Sequence, residues 1–191
     1  MTNDSLNPNA GINNRSFVFA KPTIYVACLA SYNNGILHGV WLDMTQSAEK
    51  IHNEIWVMLT NSPIPGAEDF AIHDYENFYD FPICENTGVG EAVDIAKFVT
   101  QYGRLGAAVF DEYGCIEFAK KILDNNYLGV KESKQEFAKE VFEETYGCDV
   151  LAKILTYIDY EKYSSDIFID SYFSITVEHK LHVFSGYEET F

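Results

Sequence analysis

The sequence has little positive charge, and one long stretch has none. Between Lys50 and Lys97 there are 46 residues without Lys or Arg. The 191-residue chain carries 13 Lys and Arg against 29 Asp and Glu, a formal net charge of −16. No cluster of three basic residues occurs, although nucleic acids and anionic lipid surfaces are normally bound through such clusters. The composition therefore predicts no direct binding to nucleic acid or to a membrane, and it favours cationic partners.

Cysteine is scarce and long apolar runs are absent. Cys28, Cys84, Cys115 and Cys148 are spaced too widely for a zinc motif or a dense disulfide framework. We expect four reduced and mostly buried thiols. No apolar run is long enough to cross a bilayer, and the first residues lack the apolar core of a signal peptide. These features predict a cytoplasmic protein.

Common catalytic motifs are also missing, since the sequence contains no GxSxG, HExxH, Walker A or Rossmann glycine pattern. His73 and Asp74 are adjacent in a predicted strand, so their side chains would point to opposite faces. Cys148 has no assignable base, and Asp69 with Asp74 or Asp80 matches no calcium-binding loop. We therefore predict no catalytic residue, metal or cofactor. A small hydrolase that uses Cys148 or His73 is an alternative.

The stretch without basic residues combines acids with aromatic residues. It contains nine Asp and Glu, and aromatic residues occupy positions 70, 75, 78, 79 and 81. Acid-rich segments without aromatic residues usually stay unfolded. Here the aromatic residues can form a core with the acids on its outside, which predicts a folded surface with a concentrated negative field. Charge alone also allows a solubilising face, or an acidic adaptor that binds a basic protein unrelated to DNA.

The first part of the chain has the pattern of a small α+β unit. Residues 23–30 are rich in strand formers, Asn33–Gly35 predicts a turn, and 36–44 predicts a second strand. Residues 48–59 place apolar side chains at helical spacing, and 68–75 predict a third strand. We therefore expect a three-stranded sheet with one helix.

Helical patterns dominate the rest of the chain until two strands close it. Gly103 is expected to end a helix, and Ser133 to Glu136 form a capping box that opens another. The predicted helices are 91–102, 105–110, 115–123, 134–146, 151–158 and 160–169, and the predicted strands are 172–177 and 181–187.

The predicted fold is α+β, with an elongated series of three small units after a flexible tail. The N-terminal unit is a three-stranded sheet plus a helix, the central unit is helical, and the C-terminal unit has helices plus a β-hairpin. The boundaries are 1–21 for the tail, 22–85 for the N-terminal unit, 86–127 for the central unit and 128–191 for the C-terminal unit.

One predicted helix carries a column of carboxylates. Glu136, Glu140, Glu143 and Glu144 fall at i, i+4, i+7 and i+8, so they share one side at steps of roughly 6 Å. This step is close to the phosphate spacing along a DNA strand. A body that displays carboxylates in this way could occupy the DNA groove of a protein.

Three blocks of the sequence resemble the ArdA antirestriction family. They occur in the family's order and span roughly residues 22–187, which leaves the tail outside. The blocks are IYVACLASYNNGILHG at 24–39 with Trp41 beyond it, EDFAIHDYE at 68–76, and EETYG at 143–147 followed by YIDYE at 157–161.

The resemblance implies a cytoplasmic protein carried by mobile genetic elements. It implies an elongated homodimer with three small domains per chain, coated with carboxylates in imitation of B-DNA. Such a protein inhibits type I restriction-modification enzymes by occupying the DNA-binding groove of their methyltransferase core. No enzymatic activity is implied.

The charge pattern and the resemblance together give the predicted site. The dimer interface is expected in the third block, with Tyr146, Leu151, Ile154 and Tyr157 as its apolar residues. The predicted phosphate-mimicking carboxylates are Glu68, Asp69, Asp74, Glu76, Asp80, Glu85, Glu91, Asp94, Asp111, Glu112, Glu136, Glu140, Glu143 and Glu144.

Overall fold

The computed structural model describes residues 20–147, 154 and 157–186. This part of the chain is a mixed α+β fold with two three-stranded antiparallel sheets. In chain order the elements are β1 (Thr23–Cys28), α1 (Leu29–Asn33), β2 (Gly39–Asp43), α2 (Ala48–Thr60), β3 (Phe70–Glu76), α3 (Val89–Tyr113), α4 (Ile116–Asn125), β4 (Tyr127–Lys131), α5 (Lys134–Tyr146), α6 (Tyr160–Asp170), β5 (Tyr172–Val177) and β6 (Lys180–Ser185).

The first sheet has the order β2-β1-β3, so the most apolar strand lies in the middle. Ile24 and Val26 of β1 are fully buried. On α2, Ile51 and Ile55 recur at helical spacing and are buried as well. The side chain of Ser47 accepts a hydrogen bond from the backbone N–H of Lys50 and so begins α2 where the sequence predicts.

The connection between β1 and β2 differs from the predicted turn. The first strand ends at Cys28 and not at residue 30, because Leu29–Asn33 forms the short helix α1. Asn34 stabilises the end of α1 by donating its side-chain N–H to the carbonyl of Ala30. This local side chain to backbone bond competes with strand pairing. As a result β2 begins at Gly39, three residues later than predicted.

Helix α3 confirms the predicted break at Gly103. This residue has φ 58° and ψ −146°, a conformation that interrupts the helix and that glycine adopts readily. The helix resumes directly afterwards and continues to Tyr113. Phe81, from the loop before α3, stacks on Phe110 at a centroid distance of 4.3 Å and meets Phe98 edge-on at 5.7 Å.

The second sheet has the order β4-β6-β5, and β4 is missing from the sequence prediction. The predicted C-terminal hairpin is therefore two strands of a three-stranded sheet. Strand β4 follows Asn125 and Asn126, contains Gly129 at φ 99°, and shifts register between Tyr127 and Gly129. These features weaken the alternation that identifies a strand.

Helix α5 begins at the predicted cap, where Ser133 accepts a hydrogen bond from the backbone N–H of Glu136. Phe137 of α5 is buried against Phe168 of α6 and Tyr172 of β5, with ring centroids 5.9 and 4.9 Å away. This aromatic group holds the two helices and the sheet of this unit together.

The described chain forms compact units at 20–110 and 111–186. The boundaries predicted at 85/86 and 127/128 stay a prediction. Most of the predicted helix 151–158 lies outside the described residues. Within the part of the chain that the structure describes, no helix is both long and apolar enough to cross a membrane.

A glycine of the first sheet provides a test of this packing. A Cβ at Gly39 would meet the carbonyl oxygen of Val26 and would lie 2.6 Å from Cζ of Tyr25. We expect Gly39→Ala to lower the free energy of unfolding by about 1–3 kcal/mol, because the crowded atom is backbone and cannot move aside. Urea titration followed by circular dichroism measures the change.

The control is Gly90→Ala, the same chemical change in a helical position with no heavy atom within 4 Å of the added Cβ. Alanine should stabilise that position by up to about 1 kcal/mol. Equal effects at both positions would contradict the close packing at Gly39.

Candidate functional site

The fourteen predicted carboxylates are all on exposed residues. They lie on elements of both compact units. Glu68 and Asp69 precede β3, Asp74 and Glu76 lie on it, Asp80 and Glu85 follow it, Glu91, Asp94, Asp111 and Glu112 lie on α3, and Glu136, Glu140, Glu143 and Glu144 lie on α5.

Strand β3 turns from buried to exposed along its length. Ala71 and Ile72 are buried, whereas the four residues from His73 to Glu76 are all exposed. Asp74 lies opposite Tyr25, and Glu76 lies opposite Thr23 at the end of the ladder. The buried half fixes the strand in the sheet, and the exposed half presents the two carboxylates to solvent.

The loop after β3 is held by its aromatic residues, as the sequence predicts. Phe78 and Phe81 are buried, whereas Tyr75 stays exposed. Asn77, Tyr79 and Asp80 all have positive φ angles, between 52° and 68°. Such angles are uncommon outside glycine and require support from the surrounding structure. The buried phenylalanines supply that support.

One basic side chain from outside residues 51–96, the stretch without Lys or Arg, lies near this acidic loop. The guanidinium of Arg104, on α3, lies 5.3 Å from the centroid of the Tyr79 ring, a cation–π distance. Arg104 and Asp80 both line a depression of about 320 Å³. The sequence prediction missed this cation, because 24 residues separate Arg104 from Asp80 along the chain.

The carboxylate column on α5 is partly neutralised. Glu136 pairs with Lys139 at 2.7 Å, and this hydrogen bond raises the pKa of Lys139. Glu140 pairs with Lys131 of β4. The first two carboxylates of the column therefore face lysines, so α5 presents less negative charge than its spacing predicts. The pairing of Glu136 with Lys139 could be predicted from their i, i+3 spacing. Lys131 lies near Glu140 only because of strand β4, which the sequence does not predict.

On α3, Asp94 pairs with Lys97 at 3.1 Å, and both side chains are well exposed. Exposed pairs of this kind contribute little to stability. Lys97 is the first basic residue after the stretch without Lys or Arg, so it follows the acids of that stretch and does not lie among them in the sequence.

A family model described as antirestriction protein (ArdA) matches residues 24–180. The chain belongs to the ArdA family. The match begins at the second residue of β1, where the sequence resemblance begins, and ends at the first residue of β6. A search of curated proteins found no match. Membership implies an antirestriction function and binding to restriction-modification enzymes.

Three of the five histidines of this ArdA family member have structural contacts. His38 Nε2 lies 2.7 Å from the carbonyl oxygen of Met58, and His73 meets Tyr32 edge-on at 4.6 Å. His182 Nδ1 lies 2.8 Å from the hydroxyl of Tyr127. Among the described residues, no three His, Cys, Asp or Glu side chains gather in a way that could hold a metal ion.

The expectation of mostly buried cysteines is wrong for the described residues. Cys28 is buried, but Cys84 and Cys115 are exposed. Cys84 lies in the acidic loop, where its backbone N–H donates to the hydroxyl oxygen of Thr87. The same hydroxyl lies 3.4 Å from the Cys84 sulfur, and this hydrogen bond lowers the pKa of the thiol. Cys148 lies outside the described residues.

The residues predicted for an ArdA dimer interface lie in the C-terminal unit. Tyr146, Ile154 and Tyr157 are exposed, and Tyr157 is 86% exposed. Leu151 lies outside the described residues. Exposed large apolar side chains are normal when isolated, but several in one short region are typical of an interface.

The Cys84 thiol gives a chemical test of the acidic loop. Because the hydrogen bond to Thr87 lowers the pKa of Cys84, thiolate forms at lower pH than in an ordinary cysteine, and alkylation should begin at lower pH. Thr87→Val should move the alkylation profile of Cys84 to higher pH. Iodoacetamide labelling across a pH series, with peptide mass spectrometry, measures the profile.

Thr87→Ser is the matched control, because it keeps the hydroxyl and should keep the profile. A profile that is the same in Thr87→Val and in the unmodified protein would show that the Thr87 hydroxyl does not stabilise the thiolate.

Proposed function

We propose that this chain is a DNA mimic that inhibits type I restriction-modification enzymes by occupying the DNA-binding groove of the methyltransferase core. The exposure of all fourteen predicted carboxylates is the observation that supports it most directly. A protein groove that holds DNA phosphates is lined by Lys and Arg. Exposed carboxylates on a folded surface offer these side chains an equivalent set of anions.

The mechanism is competition without catalysis. Carboxylates meet the cations that otherwise hold phosphates, and small counterions are released from the contact region, so the affinity falls as salt rises. Each exposed ion pair contributes about 0–1 kcal/mol. Inhibition therefore depends on many contacts of similar strength, and no single carboxylate is essential.

The structure suggests an order of importance among the carboxylates. Asp74, Glu76, Asp80 and Glu85 follow one another along β3 and its loop, within the stretch without Lys and Arg. Glu136 and Glu140 are paired with lysines, so an enzyme must compete with those lysines for them. We expect the β3 group to contribute more to binding than the α5 column.

We further propose a homodimer formed by the C-terminal unit, with Tyr146, Leu151, Ile154 and Tyr157 at its interface. The exposure of the three described members supports this assignment, since burial against a second copy would remove their apolar surface from water. A dimer also doubles the number of carboxylates that one inhibitor presents.

Grouped charge removal tests the mimicry. One variant removes four neighbouring charges: Asp74→Asn, Glu76→Gln, Asp80→Asn and Glu85→Gln. Its affinity for a type I methyltransferase, measured by displacement of labelled DNA, should be at least about tenfold lower than that of the unmodified protein. Asparagine tolerates the positive φ at position 80, so the loop conformation is kept. Competition titration at two salt concentrations measures the affinity, which should be lower at high salt.

The comparison variant is Glu136→Gln with Glu140→Gln, for which we expect less than about a threefold loss. Abolition of inhibition by one single substitution would exclude the distributed mechanism. If even a large excess of the unmodified protein displaced no DNA, the acidic adaptor would become the better explanation.

The interface has its own test. Tyr157→Glu should convert the dimer to a monomer, because it places a charge in an apolar contact. The side chain is 86% exposed in the single chain, so the substitution should leave the fold intact. Sedimentation velocity measures the mass, and Ile169→Glu, 75% exposed and outside the predicted interface, is the control. A monomeric unmodified protein would contradict the proposal.

A further inference from the structure

Strand β2 has a free outer edge. Cys28 N–H donates to the carbonyl of His38, and Met44 N–H donates to the carbonyl of Pro22. These bonds show that even-numbered residues of β2 point their backbone groups towards β1. The N–H and C=O groups of Gly39 and Trp41 therefore point away from the sheet. Among the described residues, no strand pairs with this side of β2.

A groove runs between this edge and α2. Its volume is about 580 Å³, and His38, Gly39 and Val40 line it on the strand side. On the helix side Val57 and Met58 are its apolar residues, and the polar ones are Lys50, Asn53, Glu54 and Asn61. Val57 is 51% exposed. The contact of 2.7 Å between His38 Nε2 and the carbonyl oxygen of Met58 ties the strand side to the helix. The groove is therefore preformed and has an apolar floor.

We propose that this groove binds an extended, basic segment of a partner protein as a fourth strand, antiparallel to β2. Gly39 and Trp41 offer two N–H donors and two carbonyl acceptors, which an added strand can pair with directly. This contact differs from DNA mimicry, because it recognises polypeptide backbone and not phosphate-binding cations. It therefore goes beyond the proposed function.

The charge of the surrounding unit favours a basic segment. Residues 20–110 contain eleven Asp and Glu against four Lys and Arg. Pairing with the N-terminal unit of a second copy would bring that unit's own excess of acids to the same edge, whereas the proposed dimer contact is apolar and lies in the C-terminal unit. Trp41 is 45% exposed at the edge, where its ring can stack on an arginine or lysine side chain of the segment.

The pleat of the sheet determines the side-chain pattern of the segment. In an antiparallel pair, residues that bond to Gly39 and Trp41 place their side chains on the same sheet face as Trp41. These positions suit arginine or lysine. The alternate residues place their side chains towards α2, where small aliphatic groups fit beside Val57 and Met58. The segment therefore alternates basic and aliphatic residues.

An alternating arginine–valine heptapeptide, blocked at both ends, is the probe. The chain has two tryptophans, so Trp56→Phe leaves Trp41 as the only tryptophan, whose fluorescence is excited selectively over that of the tyrosines. We expect a saturable change in Trp41 fluorescence.

N-methylation of the central arginines, whose N–H groups face β2, should weaken binding at least about tenfold. N-methylation of the valines should have little effect. Equal binding of both methylated peptides would overturn the proposal, because their charges are identical.

Two variants with equal charge test the groove itself. Val57→Lys places a cation in the groove and should weaken peptide binding at least about tenfold relative to Trp56→Lys, which changes a neighbouring side chain that does not line the groove. Val57→Lys is measured in the Trp56→Phe background, so Trp41 is the only reporter in both proteins. Both positions are more than half exposed, and equal urea midpoints confirm that both variants fold.

Failure of the unmodified peptide to bind would overturn the proposal, as would equal affinity of the two variants. Sedimentation velocity of the protein without peptide tests whether a second copy of the chain occupies the groove instead. Self-association that Val57→Lys abolishes and Trp56→Lys preserves would assign the groove to a second copy and exclude the basic segment. The DNA competition titration is a separate measurement, so loss of mimicry and loss of peptide binding can be distinguished.

Discussion

The acidic surface of the N-terminal unit depends on aromatic packing behind it. Like charges along β3 and its loop repel one another, and this repulsion opposes the compact state. Phe81 offsets it by stacking on Phe110 and contacting Phe98, which fixes the loop to α3. Burial of one phenylalanine side chain contributes about 1.5–3 kcal/mol. Without this anchor, the acids would belong to a solvated segment with no fixed arrangement.

Much of the fold could be predicted because local signals agreed with the tertiary structure. The caps at Ser47 and Ser133 and the break at Gly103 depend on their own neighbours in sequence. The missed elements depend on distant contacts. Strand β4 is short, contains Gly129, and exists through pairing with residues of β6 that lie at least fifty positions later. No local pattern carries that information.

The candidate site likewise has features that local sequence predicts and features that depend on distant contacts. Exposure of the carboxylates was predictable, because burying an unpaired charge is costly. Their neutralisation was only partly predictable. The pairing of Glu136 with Lys139 follows from helical spacing, but that of Glu140 with Lys131 requires the unpredicted strand. Arg104 likewise reaches Tyr79 through the tertiary fold. Counting charges along a sequence therefore overestimates the negative field wherever the fold brings in a base.

Distributed charge and a paired strand edge would contribute differently to recognition. Long-range attraction raises the rate of encounter with any basic protein and weakens in salt, but it discriminates poorly among such proteins. Backbone pairing at Gly39 and Trp41 acts over hydrogen-bond distance and requires an extended segment with the right alternation. An inhibitor that bound by charge alone would be retained by many nucleic-acid-binding proteins. A directional contact at the β2 edge, on the opposite side of the sheet from β3, would give it preference for the partners that carry such a segment.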